Sequence, residues 1–104
     1  MDEDNEEIEY YKDENISITY NKKNDDYLIL IESTQGFEKH ISLDQRIMEG
    51  AAKNDLDHLS ETLSIMDLSI GLSRTDVIRV YEAILKTMEK YNEKVEEFKA
   101  KECL

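Results

Sequence analysis

The sequence lacks proline altogether and holds only three glycines and one cysteine among its 104 residues. Without proline and with little glycine, long irregular loops are not expected. The single cysteine, Cys103, excludes a disulfide framework within the chain. Because disulfides are rare in reducing compartments, we expect a cytoplasmic protein.

Long apolar runs are also missing, and none approaches the ~20 residues of a membrane span. The N-terminal stretch MDEDNEEIEYYKDE carries the wrong charge for a secretory signal peptide. Residues 1–14 contain eight acids, one lysine and few apolar residues, so they are predicted to form an acidic disordered tail that folding does not need. Residues 15–104 are predicted to form a single domain.

Signals for catalysis or metal binding are absent from the sequence. His40 and His58 are the only histidines, and neither is spaced to act with a cysteine or with the other histidine as a metal site. No serine lies in a nucleophile motif, and no glycine-rich phosphate loop occurs. The sequence therefore predicts a protein that is not an enzyme and that has no cofactor and no metal.

The net charge is −12, and two segments carry almost all of it. Residues 1–14 contribute −7, and residues 54–73 contribute −4 without any lysine or arginine. A field of this sign repels nucleic acid and attracts basic surfaces, so we expect a partner protein with a basic surface and no direct binding to nucleic acid or membrane. The alternative is that the acidity only keeps the protein in solution.

Three segments have the patterns of strands. Residues 16–20 alternate apolar and polar side chains, residues 27–31 form a short continuous apolar run, and residues 37–43 alternate again. Polar turns separate them, and Tyr20 and Tyr27 flank the first of these turns as expected cross-strand neighbours. The pattern predicts a three-stranded antiparallel β-meander.

The second half of the chain has helical periodicity. A first short helix is expected to bury Ile47, Met48, Ala51 and Ala52. A second should run from about residue 55 to Gly71, with an apolar seam of Leu56, Leu59, Leu63, Met66 and Ile70.

The third helix is predicted from about residue 74 to about residue 100. It opens with a capping box of Ser73 and Asp76, and its apolar residues alternate at spacings of four and three from Val77 to Phe98. The second and third helices should fold back as an αα-hairpin. The predicted class is therefore α+β, with the meander followed by three helices, the last one long.

Two candidate sites follow from this arrangement. Asp57, Glu61 and Asp67 lie on the polar side of the second helix, where no basic residue of the segment neutralises them, and are predicted to bind a basic partner. The third helix, at about 40 Å, should extend beyond the second. Its last apolar residues then need cover from the sheet, the first helix or a second copy, and they form a possible oligomer or docking seam: Tyr91, Val95 and Phe98.

Residues 72–79 resemble the opening of the second helix of ribbon-helix-helix repressors. That family implies a DNA-reading strand upstream, where this chain has residues 49–54 in a pattern that is not a strand, so no functional residue is transferred. In size and charge the chain is similar to nucleic-acid mimics, such as phage-encoded inhibitors of DNA-binding enzymes and of CRISPR nucleases. Two hypotheses result: an acidic modulator that binds and inhibits a nucleic-acid-binding enzyme, or a self-associating adaptor that uses the long C-terminal helix.

Overall fold

The computed structural model describes residues 7–102, apart from the side chain of the last of these. The predicted α+β class, with three helices of which the last is long, is confirmed. The elements in chain order are β1 Glu7–Lys12, β2 Ile16–Asn21, β3 Asp26–Glu32, β4 Glu38–Asp44, α1 Gln45–Lys53, α2 Leu56–Ile65 and α3 Arg74–Glu102.

The sheet has four antiparallel strands in the order β1-β2-β3-β4, so the predicted number of three is wrong. The additional strand, β1, lies inside the segment that was predicted as a disordered tail over residues 1–14. That prediction is therefore wrong for residues 7–12, while residues 1–6 lie outside the described residues. The acidity misled the prediction because the glutamates of β1 occupy one face of the strand and leave its apolar residues free for the other.

A β-bulge in β1 brings its aromatic residues to the core. The register against β2 shifts between Glu9 and Tyr11, so the intervening Tyr10 has no direct partner and is only 5% exposed. Its ring centroid lies 6.0 Å from that of Tyr27, and Lys94 Nζ of α3 lies 4.8 Å from the ring. Burial raises the pKa of Tyr10, which keeps the phenol neutral.

The three helices cover one face of the sheet, and the core lies between these two layers. Tyr20 and Tyr27 are direct cross-strand partners, as predicted, with ring centroids 4.9 Å apart. The fully enclosed side chains of the strands and helices include Ile18, Tyr27, Ile29, Ile31, Ile41, Leu43, Met48, Leu59, Leu63, Val80 and Ile84.

The second helix is shorter than predicted because a Schellman motif ends it. The N–H of Leu68 donates to Leu63 O at 2.7 Å, and the N–H of Asp67 donates to Ser64 O at 3.0 Å. Asp67 takes the left-handed conformation that this motif requires, with φ of 59°. Met66 and Ile70, which were predicted to belong to the apolar seam of this helix, therefore lie outside it, and residues 66–73 connect α2 to α3.

Asp76 anchors the start of α3 to the β3–β4 turn. The predicted capping box is confirmed, since Ser73 N–H donates to Asp76 Oδ2 at 2.9 Å and Asp76 N–H donates to Ser73 Oγ at 3.2 Å. The same buried carboxylate accepts from Thr34 N–H at 2.9 Å. Burial alone would raise the pKa of Asp76, but hydrogen bonds from Ser73 and Thr34 outweigh it and hold that pKa below its usual range.

A side-chain contact supports the same junction. The ring of Phe37, just after the β3–β4 turn, lies directly over Gly71 in the α2–α3 connection. A Cβ at residue 71 would overlap this ring, and the φ of 84° at Gly71 would strain any other residue. The turn and the connection therefore hold each other in place.

Truncation of Tyr10 tests whether β1 belongs to the folded unit. Tyr10→Ala should lower the free energy of unfolding by about 3 kcal/mol, because it empties a site that a buried aromatic ring fills. Tyr10→Phe keeps the ring and serves as the control, with little expected change. Urea denaturation of both variants measures this, and a loss below about 0.5 kcal/mol for Tyr10→Ala would contradict the packing of β1.

Replacement of Asp76 tests the junction through its pH dependence. Asp76→Asn should cost about 1.5–3 kcal/mol at neutral pH, since charge-assisted hydrogen bonds are lost. Because the pKa of Asp76 is lowered in the folded state, its carboxylate stabilises the protein fully above the unfolded-state pKa of about 3.9. This stabilisation is lost as the pH falls through the folded-state pKa. The difference from the parent protein should therefore shrink below about pH 4. Equal differences at pH 7 and pH 3 in urea denaturation would refute this role.

Candidate functional site

The three carboxylates predicted to bind a partner have different surroundings. Asp57 lies in the first turn of α2 and forms an exposed ion pair with Arg74 of α3, with Oδ1 and Nη2 3.3 Å apart. Glu61 is exposed one turn further along α2. Asp67 lies beyond the helix, in the Schellman motif. The sequence expectation missed the Arg74 contact because this cation comes from outside the acidic segment.

The predicted seam on α3 is covered only at its beginning. Tyr91 packs against the core, close to the tyrosines of the sheet, so the sheet covers this part of α3. Val95 is half-buried, and Phe98 is 63% exposed. All residues from position 92 to position 101 except Val95 are exposed, so the last turns of α3 project from the body of the protein.

The sequence reasoning missed a third surface, the sheet face that the helices leave open. The register places outward side chains on all four strands, and none of them is buried. This open face carries one lysine, Lys12, and one histidine, His40, whose Nε2 lies 3.6 Å from Glu38 Oε1. It also carries a larger set of carboxylates: Glu7, Glu9, Asp26, Glu32, Glu38 and Asp44. The signal was the alternation of acidic with apolar residues, which becomes a surface only when the strand pairing is known.

Two pairs of these carboxylates oppose each other directly across β3 and β4. Asp26 is the cross-strand partner of Asp44, and Glu32 is the partner of Glu38. Asp44 has a second role as the N-cap of α1, where it accepts from Ile47 N–H. Directly opposed like charges destabilise an antiparallel sheet, so both pairs have a cost in the isolated protein.

Apolar side chains lie between the charged pairs. Leu28 and Leu30 point outward from the middle of β3 and are half-buried, although no helix covers them. A depression on the same face is lined by Glu7, Thr19, Asn21, Asn24, Asp26, Leu28, Leu30 and Ser42. The open face thus combines a partly apolar centre with an acidic rim.

Another apolar surface lies where α2 meets the connection to α3. Ile65 is 76% exposed, Ile70 is 69% exposed and Met66 is 39% exposed, all within six residues. We call these three residues the corner patch. Glu61, one helical turn before Ile65, and Asp67 place negative charge beside it.

Cofactor chemistry has no evident site in the described part of the chain. Within residues 7–102, no group of three or more histidine, cysteine or acidic side chains is arranged to hold a metal ion. No helix in the same range is both long enough and apolar enough to cross a membrane. The pKa of Tyr20 is raised to about 12 by its hydrogen bond to Asp25, so this phenol remains protonated and is a structural donor.

Comparison with protein-family models finds no match, and comparisons with curated proteins and with solved structures find none either. A proposal for the function therefore has to be based on the charge and apolar character of the described surfaces.

Charge reversal at one member of an opposed pair tests the repulsion on the open face. Glu38→Lys turns the pair with Glu32 into an attractive one and should raise the free energy of unfolding by about 0.2–1 kcal/mol. Glu89→Lys is the matched control, because it makes the same charge change at an exposed residue of α3, outside the strands. Urea denaturation at low salt should separate the two variants, and about 1 M salt should reduce the difference. Equal effects of both variants at low salt would exclude a specific repulsion between Glu32 and Glu38.

Proposed function

We propose that this protein is a small acidic modulator that binds a basic surface of a protein partner through its open sheet face. The observation that carries the proposal is the direct opposition of Glu32 to Glu38 on a face whose basic side chains are Lys12 and His40. The free protein bears this repulsion, and cations from a partner would remove it. Binding would therefore gain both new ion pairs and the relief of an unfavourable one.

The apolar centre of the face supports the same proposal. Leu28 and Leu30 would lose their remaining contact with water when a partner covers them, which contributes roughly 25 cal/mol for each Å² of apolar surface. An acidic rim around an apolar centre matches the usual arrangement of protein interfaces, where charged groups surround the desolvated part.

The size of the face limits the kind of complex. Four strands at about 4.8 Å spacing give a width of about 14 Å, and strands of six or seven residues give a length of about 20 Å. This area lies below that of a standard stable interface, for which each partner buries about 800 Å². Electrostatic attraction then has to supply much of the binding, so the complex should form quickly and weaken strongly with salt.

Enzymes that bind nucleic acid are the partner class we propose. Their basic surfaces receive negative charges. The open face holds carboxylates about 6.6 Å apart at Glu7 and Glu9 of β1 and about 4.8 Å apart in each opposed pair of β3 and β4, and these two pairs lie about 20 Å apart along the strands. In this proposal the protein competes with nucleic acid in the cytoplasm, as phage-encoded inhibitors of defence nucleases of the CRISPR type do. It does not itself bind nucleic acid, which its net charge of −12 would repel.

A second candidate function is self-association as an adaptor. The observation that favours it is the 63% exposure of Phe98 on turns of α3 that project from the body of the protein.

Two triple variants with the same charge change locate the binding surface. The sheet variant is Asp26→Asn, Glu32→Gln and Glu38→Gln. The helix variant, Asp57→Asn, Glu61→Gln and Asp67→Asn, removes the carboxylates that the sequence predicted, and asparagine tolerates the left-handed conformation at residue 67. Because both raise the net charge by three, the overall field changes equally.

The two variants and the parent protein are used to capture proteins from a host lysate, and bound proteins are quantified by mass spectrometry. A captured protein is then purified, and fluorescence anisotropy follows its release of a labelled DNA duplex. The parent protein should displace the duplex, the sheet variant should do so at least tenfold less effectively with a shallower salt dependence, and the helix variant should resemble the parent. Loss of displacement in the helix variant alone would assign the site to α2 and refute the proposal for the sheet face.

A further inference from the structure

Two exposed apolar surfaces lie at opposite ends of α3. The corner patch immediately precedes the first turn of α3. The second surface, which we call the tail patch, consists of the exposed Phe98 and the half-buried Val95 near its other end. Arg74 and Phe98 are separated by about 36 Å along the helix axis, because each residue adds about 1.5 Å.

The corner patch has no evident role in folding. Leu72 N–H donates to Ser69 O at 3.0 Å, and this closes a turn in which Ile70 is the second residue. That position accepts almost any side chain, so the turn does not require an isoleucine. Ile65 and Ile70 are both more than two-thirds exposed, and clustered aliphatic residues of this kind are typical of contact surfaces.

Negative charge surrounds the corner patch. Glu61 and Asp67 are exposed beside it, and residues 54–73 contain no lysine or arginine. The nearest cation in the sequence is Arg74, which is paired with Asp57. Two corner patches brought together would therefore place carboxylates against carboxylates.

Lysines flank the tail patch. In the four-three repeat of α3, the positions on either side of Val95 and Phe98 hold Lys94, Lys99 and Lys101, together with one asparagine. Four glutamates of these turns occupy positions further from the seam, Glu89, Glu93, Glu96 and Glu97, while the next position of the seam itself is Glu102. The flanking positions of two tail patches packed together would bring lysines against lysines or asparagine, and parallel packing would also oppose Glu102 to its copy, which disfavours a symmetric dimer.

The two patches are complementary to each other in charge and alike in apolar character. Within one chain they cannot meet, since the continuous helix of α3 separates them. We propose that the tail patch of one copy binds the corner patch of a second copy, with Phe98 against Ile65 and Ile70 and with Lys99 and Lys101 facing Glu61 and Asp67. The contact is heterologous, so after one contact the first copy keeps a free corner patch and the second keeps a free tail patch.

Heterologous contacts of this kind add copies in a head-to-tail manner and close into a ring only if the rotation between copies permits it. The mass of the assembly should therefore increase with protein concentration and not stop at two chains, unless a ring closes. This inference is independent of the proposed binding of a basic partner, because it uses none of the carboxylates of the open sheet face.

Sedimentation velocity of the full chain over a concentration series tests the inference. The parent protein should show a concentration-dependent rise in mass. Phe98→Ser, which disables the tail patch, and the double variant Ile65→Ser and Ile70→Ser, which disables the corner patch, should each sediment as single chains. Because all three side chains are largely exposed, urea denaturation should show unchanged stability for both variants.

The decisive measurement mixes the two disabled variants in equal amounts. The Phe98→Ser variant keeps its corner patch, and the double variant keeps its tail patch. One chain of each kind can therefore bind the other, so the mixture should form a dimer of two chains and nothing larger. A symmetric dimer would not be restored in this way. A mixture that remains monomeric, or a parent protein that remains a single chain at every concentration, overturns the inference.

Charge reversal gives a second, independent test. Glu61→Lys alone and Lys101→Glu alone should each weaken self-association at least tenfold, because each places like charges in the contact. The chain that carries both changes should regain self-association. Failure of the double change to restore the mass seen for the parent protein would show that these two residues do not face each other.

Discussion

The covering of one sheet face by α3 is the constraint on which the rest of the structure depends. A four-stranded sheet has two faces, and the three helices of this chain cover only one of them. Hydrophobic burial fixes the strand register, because a shift by one residue would turn the buried isoleucines outward and bring polar side chains such as Ser17, Thr19 and Ser42 to the core face. The same register then forces every alternate residue of each strand outward. The acidic face is therefore a direct consequence of how the core is packed.

The position of α3 depends in turn on the junction at Asp76. This carboxylate joins the capping box of α3 to the β3–β4 turn through Thr34, and Phe37 packs over Gly71 at the same place. The corner patch belongs to the connection that this junction holds. Its exposed isoleucines are thus presented on an ordered backbone, which lowers the entropic cost of binding. At the other end, α3 continues past the sheet, and Phe98 is largely exposed.

The helices could be predicted from sequence because their signals are local. The capping box of Ser73 and Asp76 and the four-three spacing along α3 depend on residues close together in the chain. β1 could not be predicted in this way, because a bulge interrupts its alternation at Tyr10 and its glutamates resemble those of a disordered segment. The end of α2 at Ile65 was missed because an aspartate, not Gly71, adopts the left-handed conformation of the cap. The opposition of Glu32 to Glu38 needs the strand register, which no local pattern contains.

The charge pattern determines which partners each surface attracts and which it repels. An open antiparallel face with Leu28 and Leu30 at its centre would otherwise invite stacking against the same face of another copy. The surrounding carboxylates oppose that, since two copies would meet with equal charges, while a basic partner meets no such barrier. Among the surfaces of residues 7–102, the proposed self-association would instead use a complementary pair, the lysine-flanked end of α3 and the acid-flanked corner. Because these lie away from the sheet face, a chain of copies would present that face repeatedly, and binding to a basic partner with several sites would gain from multivalency without any new contact.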